Sequence, residues 1–92
     1  MKSEFRYVYV LFSLKDRKLY IGYTQDLRNR IKEHYSGKSR STKNRRPLVL
    51  IHYETYRNQK DAKAREIFLK SGFGRSQLKK ALQNDFKELG YE

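Results

Sequence analysis

The chain contains no cysteine. That removes disulfides and thiolate-bound zinc as ways of stabilising a small fold and implies no oxidising compartment, so the cytoplasm is the expected location. Acidic residues are few: 10 Asp and Glu stand against 22 Lys and Arg, a formal net charge of +12. Long apolar runs are missing too. The longest, Val8 to Phe12 and Leu48 to Ile51, have the length of strands, so no membrane span is expected. The segment after Met1-Lys2-Ser3-Glu4 lacks the small-residue cleavage site of a secretory signal. A chain of 92 residues is expected to form one domain, 1–92, because a core this small hides only about 60% of the unfolded surface.

The excess of positive charge points to a polyanionic partner, since such a field concentrates phosphate-bearing molecules and speeds their encounter. A ribosome-associated protein or a merely soluble basic surface would carry the same charge, so the chemistry has to come from particular residues.

Phe5 to Ser13 and Lys18 to Tyr23 are rich in Tyr, Val, Leu and Phe, and Leu14-Lys15-Asp16-Arg17 lies between them, which predicts a β-hairpin. Thr24 is placed to cap a helix over Gln25 to about Ser36, with Leu27, Ile31 and Tyr35 at helical spacing and Gly37 as its stop. Lys38 to Pro47 carries Lys38, Arg40, Lys43, Arg45 and Arg46 with no acid among them, and is expected as a surface loop. Leu48 to Tyr56 reads as a third strand. Asn58 can then cap a helix that ends at Ser71-Gly72-Phe73-Gly74. A last helix follows, with Leu78, Ala81, Leu82, Phe86 and Leu89 on one stripe and Gly90 at its C-terminal cap. The order β-β-α-β-α-α predicts an α+β fold, a small three-stranded, mainly antiparallel sheet flanked by helices.

Charges inside apolar stripes stand out against this pattern. Leu27, Arg30, Ile31 and His34 fall at i, i+3, i+4 and i+7 of the first helix, and Glu66 follows Ala62 by four residues in the second. Each has a structural reading: Arg30 snorkelling past the stripe, His34 favouring the helix C-terminus, Glu66 pairing with Lys63 or Lys70. Together they are harder to dismiss, because a buried charge is costly unless paired or bound to a metal. In the hairpin, Tyr7, Tyr9 and Leu11 share one face of the first strand, and Tyr20 and Gly22 one face of the second. Aromatic residues in strands ordinarily pack a sheet, as expected for Tyr53 and Tyr56.

The succession Tyr7-Val8-Tyr9, Tyr20-Ile21-Gly22, Arg30 ten residues beyond Tyr20, and Glu66 in a later helix resembles the paired tyrosine motifs of the GIY-YIG nucleases. The resemblance runs from Phe5 to Leu69 and is nearest to short stand-alone members akin to the nuclease module of the bacterial excision-repair incision subunit. It implies that Tyr9 ends the first motif, Tyr20 opens the second, Arg30 is the helix arginine, and Glu66 is the metal-binding glutamate. His34 falls where relatives keep a histidine or tyrosine near the scissile phosphate, and Tyr23 where some members have a lysine. Tyr7 replaces the glycine that names the first motif, and the asparagine of several relatives has no clear match.

The implied activity is metal-dependent endonucleolytic hydrolysis of nucleic-acid phosphodiesters, of DNA in particular, in repair or recombination. Glu66 would hold one Mg²⁺ or Mn²⁺, and Arg30 would offer its planar fork to the phosphate. A tyrosine of ordinary pKa, about 10, is a poor base at neutral pH, so Tyr9, favoured here as the base, or Tyr20 must be helped by nearby cations. Arg28, Lys32, Lys38, Arg40, Lys43, Arg45 and Arg46 are expected to contact phosphates. A protein partner could supply specificity. The alternatives are a non-catalytic nucleic-acid-binding module that kept the scaffold, and an adaptor docking through the last helix.

Overall fold

Alternating side chains in the first two strands give the sheet two different faces, and each recruits its own helices. The computed structural model describes residues 4–90; 1–3 and 91–92, included in the single domain expected from the sequence, lie outside the described residues. Strands β1 (Arg6–Ser13), β2 (Leu19–Thr24) and β3 (Leu48–Tyr56) form an antiparallel sheet in the order β2-β1-β3. The helices are α1 (Leu27–Ser36), α2 (Gln59–Lys70), α3 (Gly72–Ala81) and α4 (Gln83–Leu89). The α+β class and the three-stranded antiparallel sheet follow the sequence reading, with one more helix than expected.

On one face, Val8, Val10, Phe12, Leu19 and Ile21 meet Ala62 and Leu69 of α2, Leu78 of α3 and Phe86 of α4. Burying each large apolar side chain contributes about 1.5–3 kcal/mol, so this cluster is the main source of stability. On the other face Tyr9, Leu11 and Leu48 are buried, and Leu27 and Ile31 of α1 pack against them with Tyr20 and Leu50. The second cluster is smaller and carries the polar groups.

Several local details differ from the sequence reading. The N-cap of α1 is Asp26, whose side chain accepts from Asn29 N at 3.2 Å, while Thr24 Oγ1 accepts from Asp26 N at 3.1 Å; the helix therefore begins two residues later than Thr24 capping would give. Tyr35, expected in the apolar stripe of α1, is 47% exposed, and His34 is the residue that is fully buried. The expected last helix is two helices, broken at Leu82 (φ −115°, ψ 28°), which lets Leu78 and Phe86 both reach the same core while Ala81 faces solvent. Asn58 caps α2 through its side chain, and Gly37 and Gly90 take the left-handed conformation at helix C-termini, as expected.

The basic segment after α1 is more ordered than a plain loop. It contains a 3₁₀ turn over Lys43–Arg45, and Ser39 and Thr42 are buried. Arg45 fastens it to the hairpin turn: its Nε donates to Asp16 Oδ2 at 2.6 Å, and its Nη2 to the carbonyls of Lys18 and Leu19. Ser13 Oγ closes the same junction by donating to the Arg45 carbonyl at 2.6 Å.

Candidate active site

The strand register brings Tyr9 opposite Gly22 and Leu11 opposite Tyr20, which sets the two tyrosine-bearing segments side by side. Gly22 is required by that arrangement, because a Cβ at this position would overlap the ring and hydroxyl of Tyr9. The glycine of Tyr20-Ile21-Gly22 thus makes room for the phenol of the neighbouring strand to lie across its backbone. The Tyr9 and Tyr20 rings are 6.3 Å apart between centroids.

His34, in the last turn of α1, is the hub of the cluster. Its Nε2 is 2.8 Å from the Tyr9 hydroxyl and its Nδ1 is 2.6 Å from Thr42 Oγ1. Its ring lies 5.5 Å from that of Tyr9 and 5.2 Å from that of Tyr20. Burial, and then the positive charge of Arg30, depress the imidazole to about 4, against a weaker opposing pull from Glu33. His34 is therefore uncharged at neutral pH, with one ring nitrogen able to accept a hydrogen bond.

Tyr9 is 1% exposed, and burial raises its hydroxyl to about 12; Arg30 draws it down, while Tyr20 and Glu66 push it further up. Those influences show that Arg30 and Glu66 both lie within electrostatic reach of this oxygen, although they belong to helices on different sides of the sheet. Arg30 Nη1 pairs with Glu33 at 2.8 Å, and its Nη2 donates to Ser39 Oγ at 3.3 Å. Glu66 accepts from Lys70 Nζ at 3.0 Å, and its side chain is only 15% exposed. The structural readings of Arg30 and Glu66 are thus met in part, each having an ion-pair partner. Tyr20 is half-buried, and Ser41 Oγ donates to its hydroxyl at 3.2 Å.

Tyr9, Tyr20, Arg30 and His34 form one contiguous group, with Glu66 in electrostatic range. Among the described residues no hydrogen bond joins Glu66 to either tyrosine, and no cluster of three or more His, Cys, Asp or Glu is present. Of the basic residues named from the sequence, Arg28, Lys32, Lys38, Arg40 and Lys43 are exposed, and among the described residues their side chains have no hydrogen-bond or ion-pair partner. Arg45 is instead committed to Asp16, whose carboxyl it holds at about 2, and Arg46 donates to the Lys43 carbonyl while packing against Gly37. Tyr23 points to the opposite face: its ring packs on the main core beneath Lys63 Nζ, 4.1 Å from the centroid.

The sequence reading missed the hydroxyls of Ser39, Ser41 and Thr42. A Ser/Thr-rich stretch among lysines and arginines has the composition of a solvated loop, and nothing local marks its hydroxyls as partners of Arg30, Tyr20 and His34.

A model of the GIY-YIG catalytic domain matches residues 5–80. The chain belongs to the GIY-YIG family. It is 36% identical over 87 residues to a UPF0213 protein of Clostridium perfringens, covering 94% of this chain and 92% of that protein. It is 40% identical over 78 residues to a UPF0213 protein of Staphylococcus haemolyticus, covering 84% and 93%. The solution NMR structure of a UPF0213 protein of Bacillus halodurans shares the fold, with a TM-score of 0.52, 36% identity, and coverage of 80% of this chain and 81% of that one. The relatives are thus short stand-alone GIY-YIG proteins, and the domain is of the nuclease type. Among the described residues, no helix is long and apolar enough to cross a membrane.

Proposed function

We propose that the protein is a metal-dependent endonuclease that hydrolyses nucleic-acid phosphodiesters, with DNA as the expected substrate and repair or recombination as the expected setting. The observation that carries this reading is the convergence of the Arg30 guanidinium, the two phenols and an uncharged imidazole on one locus, with Glu66 beside it.

Hydrolysis needs a deprotonated water, stabilisation of charge on the phosphoryl oxygens, and neutralisation of the leaving oxygen. Tyr20 is the better candidate to meet the water. Tyr9, favoured from sequence, is almost wholly covered, has its hydroxyl engaged with His34, and is raised to about 12, all of which oppose a phenolate there. Tyr20 is half-buried, and its oxygen already accepts from Ser41, an interaction that stabilises developing negative charge. In this scheme Tyr20 acts as the phenolate, its own proton having left to solvent; its oxygen takes the water's proton as the water oxygen bonds to phosphorus, the bond from phosphorus to the leaving oxygen breaks, and the leaving oxygen takes a proton from solvent. Arg30 presents its free donors to the phosphoryl oxygens, and Tyr9 and His34 hold the cluster rigid.

The single carboxylate of Glu66 suits Mg²⁺ or Mn²⁺, since such ions keep several waters and bind through one or two carboxylates rather than an all-protein cage. Its present partner, Lys70, sits at the surface with 52% exposure, so releasing Glu66 to a cation is inexpensive. A bound divalent cation would supply Lewis-acid stabilisation of the phosphoryl and leaving oxygens. Arg28, Lys32, Lys38, Arg40 and Lys43 would take the flanking phosphates, a protein partner could add specificity, and the cytoplasm is the expected site of action.

The test is Mg²⁺- or Mn²⁺-dependent nicking of labelled duplex, single-stranded, flap and RNA substrates, with Glu66→Ala as control. Cleavage that needs the metal and is lost in the variant is the expected result. Salt-sensitive binding with no cutting of any substrate would favour the non-catalytic module instead.

A further inference from the structure

Three residues of the loop after α1, Ser39, Ser41 and Thr42, touch three of the site's functional side chains through hydroxyl groups. Ser39 Oγ accepts from Arg30, Ser41 Oγ donates to Tyr20, and Thr42 Oγ1 meets His34 Nδ1, at 3.3, 3.2 and 2.6 Å. Ser39 and Ser41 are joined to each other, their oxygens 3.1 Å apart. Ser39 is 4% exposed and Thr42 0%. Serine and threonine are mostly exposed in proteins, and a buried hydroxyl left without a partner costs about 1–3 kcal/mol, so burial here commits these groups to defined contacts. The backbone supports the arrangement: the amides of Thr42 and Lys43 both donate to the Ser39 carbonyl, closing a tight turn.

The Tyr9 hydroxyl lies 2.8 Å from the imidazole Nε2, and a phenol that keeps its proton beside the positive charge of Arg30 is assigned as the donor, with Nε2 the acceptor. With Nε2 accepting, the one ring proton of a neutral imidazole sits on Nδ1, and Thr42 Oγ1 is its acceptor.

We infer that Ser39, Ser41 and Thr42 are positioning residues of this site: Thr42 fixes the His34 tautomer that receives the Tyr9 hydroxyl, Ser41 holds the Tyr20 oxygen, and Ser39 aims Arg30. The inference rests on the nuclease reading given above. It gives the loop a role distinct from a phosphate-binding arm. An arm made only of Arg40, Lys43 and their neighbours would alter substrate binding, whereas a hydroxyl clasp alters the rate of the bound complex.

The experiment compares Thr42→Val, which removes the hydroxyl at nearly constant shape, with Thr42→Ser, which keeps it, and with Ser41→Ala at an exposed position that folding tolerates. Outer hydrogen-bond partners of this kind are worth about 10- to 100-fold, so Thr42→Val is expected to lower kcat by about that factor while KM stays within about twofold. Thr42→Ser should recover most of the rate, and Ser41→Ala should lower kcat about tenfold. In parallel, ¹⁵N NMR of the imidazole in the wild-type protein should show the proton on Nδ1, and in Thr42→Val a mixture of tautomers. A wild-type ring protonated on Nε2, or wild-type kcat in both Thr42→Val and Ser41→Ala, would overturn the proposal. If the wild type cuts nothing, the nuclease reading fails, while the NMR arm still decides whether Thr42 sets the ring. If Thr42→Val does not fold, the wild-type tautomer and the kcat of Ser41→Ala carry the decision.

Discussion

Acidification from about pH 7 to 4.5 should destabilise this protein through one residue. His34 is fully buried, and its imidazole is depressed from the ordinary 6.5 to about 4 by burial and by Arg30. A folded-state pKa below the unfolded one means the unfolded chain takes up the proton first. The stability linked to His34 is therefore complete above about pH 6.5 and is lost as pH falls toward 4. A difference of about 2.5 units at about 1.4 kcal/mol each sets a ceiling of about 3 kcal/mol, of which about 2–2.5 kcal/mol is gone by pH 4.5. Carboxylates enter later. Asp16 is held at about 2 by Arg45, and at Glu54 burial is outweighed by Arg65, Tyr56 and His52, leaving it also near 2; both lose their contribution as pH falls from the ordinary carboxylate values near 4 toward 2. The larger part of the loss between 6.5 and 4.5 is thus expected from His34. Urea unfolding at half-unit pH steps measures the loss, and NMR titration of the His34 ring gives the cause. Stability that stays flat across this window, or a His34 ring that titrates near 6.5, would refute the reasoning.

Other perturbations separate structure from chemistry. Gly22→Ala forces a methyl into the Tyr9 ring, so it should cost about 1–3 kcal/mol in urea unfolding and abolish cleavage even where the protein still folds. Arg45→Ala releases Asp16 and the hairpin turn and should lower stability by about 1–2 kcal/mol. Arg40→Ala or Lys43→Ala should leave stability unchanged and each reduce the slope of log binding constant against log salt by about one, as read by titration of a labelled duplex. Arg45→Ala showing the same slope change without loss of stability would contradict its assignment as a fastener.

Much of the architecture could be read from periodicity. The two-residue alternation in β1 and β2 and the Asn58 and Gly90 caps are local signals, and with the helical stripes they gave the succession of elements along the chain, one helix short, and the α+β class. The intrusion of Arg30 and His34 into the α1 stripe was legible for the same reason: a helix of period 3.6 carries them to the side of Leu27 and Ile31. What could not be read depends on partners distant in the chain. The period placed both His34 and Tyr35 near the stripe, and the partners that bury the histidine completely, the hydroxyls of Tyr9 and Thr42, lie elsewhere in the chain. Arg45 looked like its basic neighbours until Asp16, in another turn, took its fork. The break at Leu82 lets Leu78 and Phe86 reach the same distant strands, which no stretch of ten residues encodes. The clasp of Ser39, Ser41 and Thr42 was hidden for the same reason.

The most direct test of the central claim is single-turnover cleavage by Arg30→Ala, Glu66→Ala and the double variant, each with a wild-type circular dichroism spectrum. If guanidinium and carboxylate serve one phosphate, each single change should slow cleavage by about 10²-fold or more, and the double should be little worse than either, since groups acting as a unit are not additive. Wild-type cleavage in Glu66→Ala, or losses that multiply independently in the double variant, would contradict the account.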